Sequence, residues 1–461
     1  MAFRRIFEAG MRIRGHLVRC GFALAVPAWV TLLVLGLVPG TSTRAETSTT
    51  EPAADTAWSF EWGVSGGAGY FSFRDSLFID RPPDPSGILG DDWAEGWVEP
   101  WVEFAGPLGP GELFGRAAYA WVGNGDEASA LIGGDAHSHD PDEVYLGYRL
   151  SSSRNGEFEI QGGRLPLALG HQFLLADGYA DGGDRGGYWS AARTAWDQAF
   201  RLAYTNGGHS LQGFHLERDE IPGADSEPRI DGLDYEWRMG EEDNWTLGAS
   251  WLSLEANELA EHLDGAEVLN LRAYVRPGDS PLVLEAEWVR EDNGAALDAD
   301  AWYFQPYWEF QGPAWQPVLY YRYAWFEGDD PATTQNEAYD PLYPGFQDWG
   351  MPWQGEIAGE YFMANSNLKS HMLRLHLSPT ETLGSGLVAF NFELDQPGSY
   401  RNGVDSDEFG QELDWYTDWT INDHFSLSLV LAIARPGDAV TEATGRSKDF
   451  KYAMLYGLFD F

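Results

Sequence analysis

Apolar and charged side chains alternate residue by residue along segment after segment of this chain, and a period of two means extended strands with chemically opposite faces. Trp58, Phe60, Trp62 and Val64 share one face, against Ser59, Glu61 and Ser65 on the other. Leu233, Tyr235, Trp237 and Met239 alternate with Asp234, Glu236 and Arg238, and Leu413, Trp415, Trp419 and Ile421 oppose Glu412, Asp414 and Asp418. A soluble sandwich would fill its apolar faces with Val and Ile. Here Trp and Tyr stand at the strand ends, as in the aromatic girdles of a sheet whose outer face meets lipid. The 21 Trp, 21 Tyr and 25 Phe are more than so acidic a soluble chain would need.

Alternation predicts eighteen strands, near 58–72, 94–105, 112–122, 142–151, 157–165, 198–205, 209–217, 229–239, 244–254, 267–276, 281–290, 301–311, 315–326, 369–378, 385–394, 411–421, 424–434 and 450–461. A nineteenth candidate, 355–364, is rejected on topology. Bacterial barrels have an even strand number, with short periplasmic turns alternating with longer external loops. With that segment inside one loop, short connections such as Asn206-Gly207-Gly208 and Arg276-Pro277-Gly278-Asp279 alternate with connections of about ten to forty residues. The predicted fold is therefore all-β: a transmembrane antiparallel up-and-down β-barrel of about eighteen strands with both ends periplasmic.

Residues 1–45 read as a signal peptide: Arg4, Arg5, Arg12, Arg14 and Arg19 precede an apolar run and a small-residue tail ending at Ala45. Cys20, the one cysteine, lies within it, so thiol chemistry is excluded from the mature chain. Residues 46–56 read as a disordered N-terminal tail and 57–461 as a single barrel domain. The location implied is the outer membrane of a Gram-negative bacterium. The partner implied is outer-membrane lipid. Without the six Arg and one Glu of 1–45, 23 basic and 71 acidic residues remain, a net charge of −48 that excludes nucleic acid as a partner.

Three connections are long: 74–96, 166–197 and 327–368. A long loop folded into a wide barrel narrows its lumen. Loop 166–197 is the best candidate, because Leu165 to Gly170 is apolar enough to lie against the wall while Asp177, Asp181, Asp184 and Arg185 sit among glycines. The acidic segment 126–143 has no fixed metal-ligand spacing and reads as a solvated external loop. No nucleophile elbow, His-Glu-x-x-His motif or phosphate-cradling loop is present, so no enzyme, metal or cofactor is expected. Charged rings set ion preference in a pore. The inward faces carry many acids, Glu99, Glu103, Asp234, Glu285, Glu287, Glu412 and Asp414 among them, and fewer bases, including Arg116, Arg149, Arg201, Arg272, Arg322 and Arg374. The wall as a whole favours cations, while arginines at one height would form a local anion site.

Three segments resemble the alginate-export family of outer-membrane proteins. In Gln161 to Gln172, a Gly163-Arg164 pair ends a strand and an apolar stretch and a glycine follow before a long loop; Arg193 to Tyr204 has an Arg, then an Asp, then Arg201-Leu202-Ala203-Tyr204; and Asn365-Ser366-Asn367-Leu368 leads into a late strand with Pro379 beyond. The resemblance implies an eighteen-stranded barrel with an arginine-rich constriction for a polyanionic sugar, a role that carries over to Arg164, Arg193 and Arg201, and an aromatic final strand ending at Phe461 that meets the barrel-assembly machinery. The acidic excess of the inward face departs from that pattern. The expected function is passive passage of a hydrophilic solute, an anionic polysaccharide in one variant and, in the other, whatever a general, mildly cation-preferring porin admits. A structural barrel plugged by its own loops is the alternative.

Overall fold

A computed structural model describes residues 57–74, 92–125, 136–152, 156–182, 185–187, 189–190, 192–221, 225–240, 244–345, 354–359 and 362–461. The signal peptide and N-terminal tail expected over 1–56 lie outside the described residues, as do Asp184 and most of 74–96.

Eighteen strands form: β1 (Ser59–Arg74), β2 (Asp92–Leu108), β3 (Gly111–Asn124), β4 (His137–Ser152), β5 (Gly156–Leu165), β6 (Trp196–Asn206), β7 (His209–Glu217), β8 (Arg229–Met239), β9 (Trp245–Glu255), β10 (Glu267–Val275), β11 (Leu282–Asp292), β12 (Asp298–Glu309), β13 (Val318–Phe326), β14 (Leu368–Thr380), β15 (Leu383–Leu394), β16 (Glu408–Asn422), β17 (Phe425–Pro436) and β18 (Phe450–Asp460). Each pairs antiparallel with its sequence neighbours, and β1 closes on β18 from Ser65↔Asp460 to Arg74↔Lys451. Closure leaves no strand edge unpaired, the condition a sheet must meet to lie in lipid.

Polarity is inverted relative to a soluble protein. Phe60, Trp62, Leu146, Leu233, Leu271, Leu373, Leu413 and Leu455 are exposed on the outer face. Glu99, Asp234, Glu285, Glu287, Arg322, Glu412 and Asp414 are buried on the inner one. That is the alternation read as structure: outward residues meet hydrocarbon between strand ends rich in Trp and Tyr.

The described residues of 355–364 contribute no strand; Gly355–Gly359 is a single π-helical turn. Other boundaries differ from expectation. β4 begins at His137 rather than 142, and β11 and β12 lengthen until only 293–297 joins them. Alternation fails as a signal there because both faces are polar where strands rise beyond the lipid. At the closing seam Gly67 faces inward beneath aromatics, and a Cβ there would collide with the Tyr456 hydroxyl and the Trp97 indole. Gly67→Val is expected to destabilise the closed barrel by about 1–3 kcal/mol through overpacking. Semi-native electrophoresis would show this as a lower temperature for loss of the compact form, and an unchanged temperature would refute it.

Candidate constriction of the lumen

The longest buried excursion starts at a bulge. Pairing of β5 with β6 slips between Gly163 and Leu165, and Gly163 takes φ 128°, where a Cβ would strike the Val144 carbonyl. A bulge re-aims the side chain beside it. Arg164 thereby reaches the Asp142 carbonyl (3.2 Å), the Asp197 carboxylate and Asp219 Oδ2 (3.6 Å).

From there the chain enters the barrel. Leu165, Leu167 and Leu169 are buried, and Trp196 Nε1, from the returning end, donates to the Leu167 carbonyl at 2.9 Å. Phe173 lies against Phe326 and Tyr303, inward side chains of β13 and β12 on the far wall, with ring centroids 5.7 and 5.3 Å apart. The second long loop, after β13, meets it there. Ala176 N donates to the Tyr343 carbonyl (2.8 Å), Tyr343 N to the Leu174 carbonyl (3.2 Å) and Gly345 N to the Gln172 carbonyl (3.0 Å). On its way back the first loop touches the seam: Trp189 packs on Phe71 of β1 and Tyr456 of β18, and the amides of Trp189 and Ser190 donate to Glu95 Oε1 of β2. Loop 166–195 thus spans the lumen and is fastened to opposite walls.

At its centre Tyr179 is sandwiched by guanidinium groups, the Arg193, Arg185 and Arg164 carbons lying 4.3, 4.6 and 5.9 Å from its ring centre. Arg193 is fully buried. Its Nε donates to Asp181 Oδ1 at 3.0 Å and its Nη1 to Ser138 Oγ at 2.8 Å and Asp140 Oδ2 at 3.2 Å. Asp181 also accepts the Arg193 backbone N–H at 3.0 Å; burial pushes its carboxyl up to about 7, against the pull of Arg193. Asp177 pairs with Arg218 (2.6 Å), whose guanidinium covers the Tyr343 ring, and Arg185 pairs with Asp219 (2.7 Å). Asp142 Oδ1 accepts the amides of Thr194 and Ala195. The expectation of a solvated loop over 126–143 is corrected in part: residues 126–135 lie outside the described residues, and from His137 the chain is strand, with buried Asp142 and half-exposed Asp140 anchoring the loop.

Along the inner wall, arginines recur with carboxylates beside them. Arg116 is held by Glu99, Glu103 and Glu143; Arg149 by Glu112, Glu157 and Glu159; Arg201 by Glu159 (3.0 Å); Arg272 by Asp234 (2.6 Å) and Glu236 (3.7 Å). Arg322 is buried. Arg374 differs: its Nε donates to Tyr416 Oη (3.0 Å), it lies 5.0 Å from the Tyr320 ring centre, and no carboxylate pairs with it among the described residues. Toward the short-turn end these groups are partly open, the side chains of Arg149, Glu112 and Glu157 being 35, 44 and 41% exposed, whereas Arg193 and Asp181 at the level of the loop are 0 and 4%.

The structure therefore brings Arg164, Arg193, Asp177 and Asp181 into one cluster with Arg185, Arg218 and Tyr179, and leaves Arg201, Arg272, Arg322 and Arg374 on the wall. Asp140, Asp142, Arg218 and Tyr343 are absent from the sequence-derived candidates; no local spacing marks residues that meet across the lumen.

A family model described as alginate export matches residues 124–454. No curated protein matches. Among solved structures, three outer-membrane proteins of Pseudomonas aeruginosa are similar in fold: OpdQ at 13% identity and TM-score 0.53, OpdK, crystallised with vanillate, at 14% and 0.54, and OprD at 14% and 0.53. Each alignment covers 87% of this chain, and 97, 98 and 93% of the respective relative.

Proposed function

This chain belongs to the alginate-export family, and from that premise we propose that it is a passive, cation-preferring outer-membrane channel for hydrophilic solutes, narrowed by the two loops that meet inside it. That it is an outer-membrane channel follows from family and fold; the preference for cations is our reading. The observation that supports it is the pairing of the arginines. Arg116, Arg149, Arg201 and Arg272 each have at least one carboxylate neighbour, so the wall presents few bare cationic sites and a surplus of acid. No step in this function needs a cofactor or a covalent intermediate. Outer-membrane lipid meets the apolar outer face, and the barrel-assembly machinery would receive the last strand with its exposed terminal Phe461.

A second reading, passage of an anionic polysaccharide, draws on the family and on Arg374, which has no carboxylate partner among the described residues and is flanked by the rings of Tyr320 and Tyr416. Planar-bilayer reversal potentials under a salt gradient separate the two. Cation preference of several-fold is expected, increasing in Arg374→Glu. Anion preference abolished in Arg374→Ala would establish the second reading instead, and absence of any conductance would leave a plugged, structural barrel.

A further inference from the structure

The turn Gly355–Gly359 carries the second loop onto the wall formed by β16, β17 and β18, and its anchor is unusual. Glu412 of β16 accepts the N–H groups of Ile357 and Ala358, both at 2.7 Å. Two positions along the same strand and face, Asp414 is fully buried against Glu412 and the backbone N–H of Glu356, with no cation paired to it among the described residues. Glu356, on the turn itself, is buried close to Glu412. Among the described residues β15, β17 and β18 bring no cation to the site, and Arg374 of β14 reaches β16 only at Tyr416, where its Nε donates to Oη at 3.0 Å. β17 presents Val430 and Ala432, β15 presents Val388 and Phe390, and β18 offers Tyr452 and Tyr456, whose phenols are neutral at ordinary pH. Asp418 farther along β16 and Glu95 under Trp189 add further acid, and beyond Asp414 the Tyr416 hydroxyl holds Arg374 and His376.

Three carboxyl groups packed together out of water with no arginine or lysine beside them cannot all be ionised. We propose that Glu356, Glu412 and Asp414 form a proton-operated latch, holding the Gly355–Gly359 turn against β16 while protons are shared among them and releasing it, to widen the lumen, when they ionise. Burial pushes the Glu356 carboxyl from its ordinary 4.5 up to about 8. The sign follows from linkage. The latched form binds more protons than the released form, so latching is firmest in acid, weakens as pH climbs from 4.5 toward 8 and changes little above.

The latch rests on the channel reading only for its effect on conductance; the loop movement is read separately. Residues after Ala45 contain no cysteine, so Ala358→Cys gives a single buried thiol and Thr333→Cys, on an exposed stretch of the same loop, a reference for the intrinsic pH dependence of labelling. With purified full-length barrels in vesicles, the maleimide labelling rate of Ala358→Cys relative to Thr333→Cys should rise at least about tenfold between about pH 5 and about pH 9. The same ratio should stay flat in a Glu356→Gln, Asp414→Asn background. In planar bilayers the unsubstituted channel should conduct about twofold more at the higher pH, and the doubly substituted one should not respond. Retention of the compact, heat-modifiable form shows that each variant is folded. A flat labelling ratio in the unsubstituted background overturns the latch. So does a rise that persists without Glu356 and Asp414, or release by EDTA at constant pH, which would mean that a divalent cation rather than protons holds the carboxyls. Loss of conductance with the labelling response intact would overturn the channel reading alone.

Discussion

Arg193→Met is expected to free the lumen-crossing loop at its root. The guanidinium is fully buried and tied to Asp181, Asp140 and Ser138, so methionine keeps the bulk but leaves the Asp181 carboxyl enclosed without its cation. Breaking a buried pair from one side costs about 3–5 kcal/mol. Local stability of loop segments is often no greater than this, so the segment around Tyr179 should open. Hydrogen exchange would show loss of protection at Gly178 and Ala180, whose amides donate to Thr194 and Asp219, while the strand amides stay protected. Single-channel conductance should rise together with that loss. Unchanged protection at those two amides would show that the cluster is not what holds the loop.

Phe173→Ala tests the opposite fastening. Phe173 is 1% exposed between Tyr303 and Phe326, and truncating such a ring costs about 3–5 kcal/mol. Here the loss falls on the far wall, so the register of Leu174 and Ala176 with Tyr343 should go first. The expected result is a noisier channel with frequent transitions to a larger conductance, and exchange at Ala176 before Gly178. The two substitutions lie on one loop between two anchors, so their effects should not add. Once either end is loose, the second substitution should do less than it does alone. Additive effects would show that the two anchors act independently.

Much of this architecture is legible in sequence because a membrane barrel writes its polarity at every second residue. The eighteen strands and the rejection of 355–364 follow from local periodicity and turn parity, and the inward course of Leu165 to Gly170 from its apolar composition. What fails is whatever depends on partners far apart in the chain. The inward direction of Arg116, Arg149, Arg201 and Arg272 is readable from alternation. Their salt-bridge partners depend on strand register, which pairs Arg116 with Glu103 and Arg149 with Glu159. Arg164 sits at a bulge, where the period of two no longer says which way a side chain turns. Asp140 and Asp142 resemble a solvated acidic run until the arginine and the amides they serve, some fifty residues later, are placed beside them.

The wedge of Trp189 between Phe71 and Tyr456 bears on the order in which the molecule can be built. These two rings flank the β1–β18 closure, and the indole reaches them from a loop encoded in the middle of the chain. A cylinder zipped shut around an empty interior would have to admit about thirty residues through its mouth afterwards, with contacts as non-local as any in the chain already waiting for them. Such long-range closures are slow. Threading before sealing avoids that barrier: the mid-chain strands and their loop would assemble as an open, curved sheet, and the terminal strands would then wrap around a filled interior. On that account the seam is the last joint made, and the contents of the barrel help to make it.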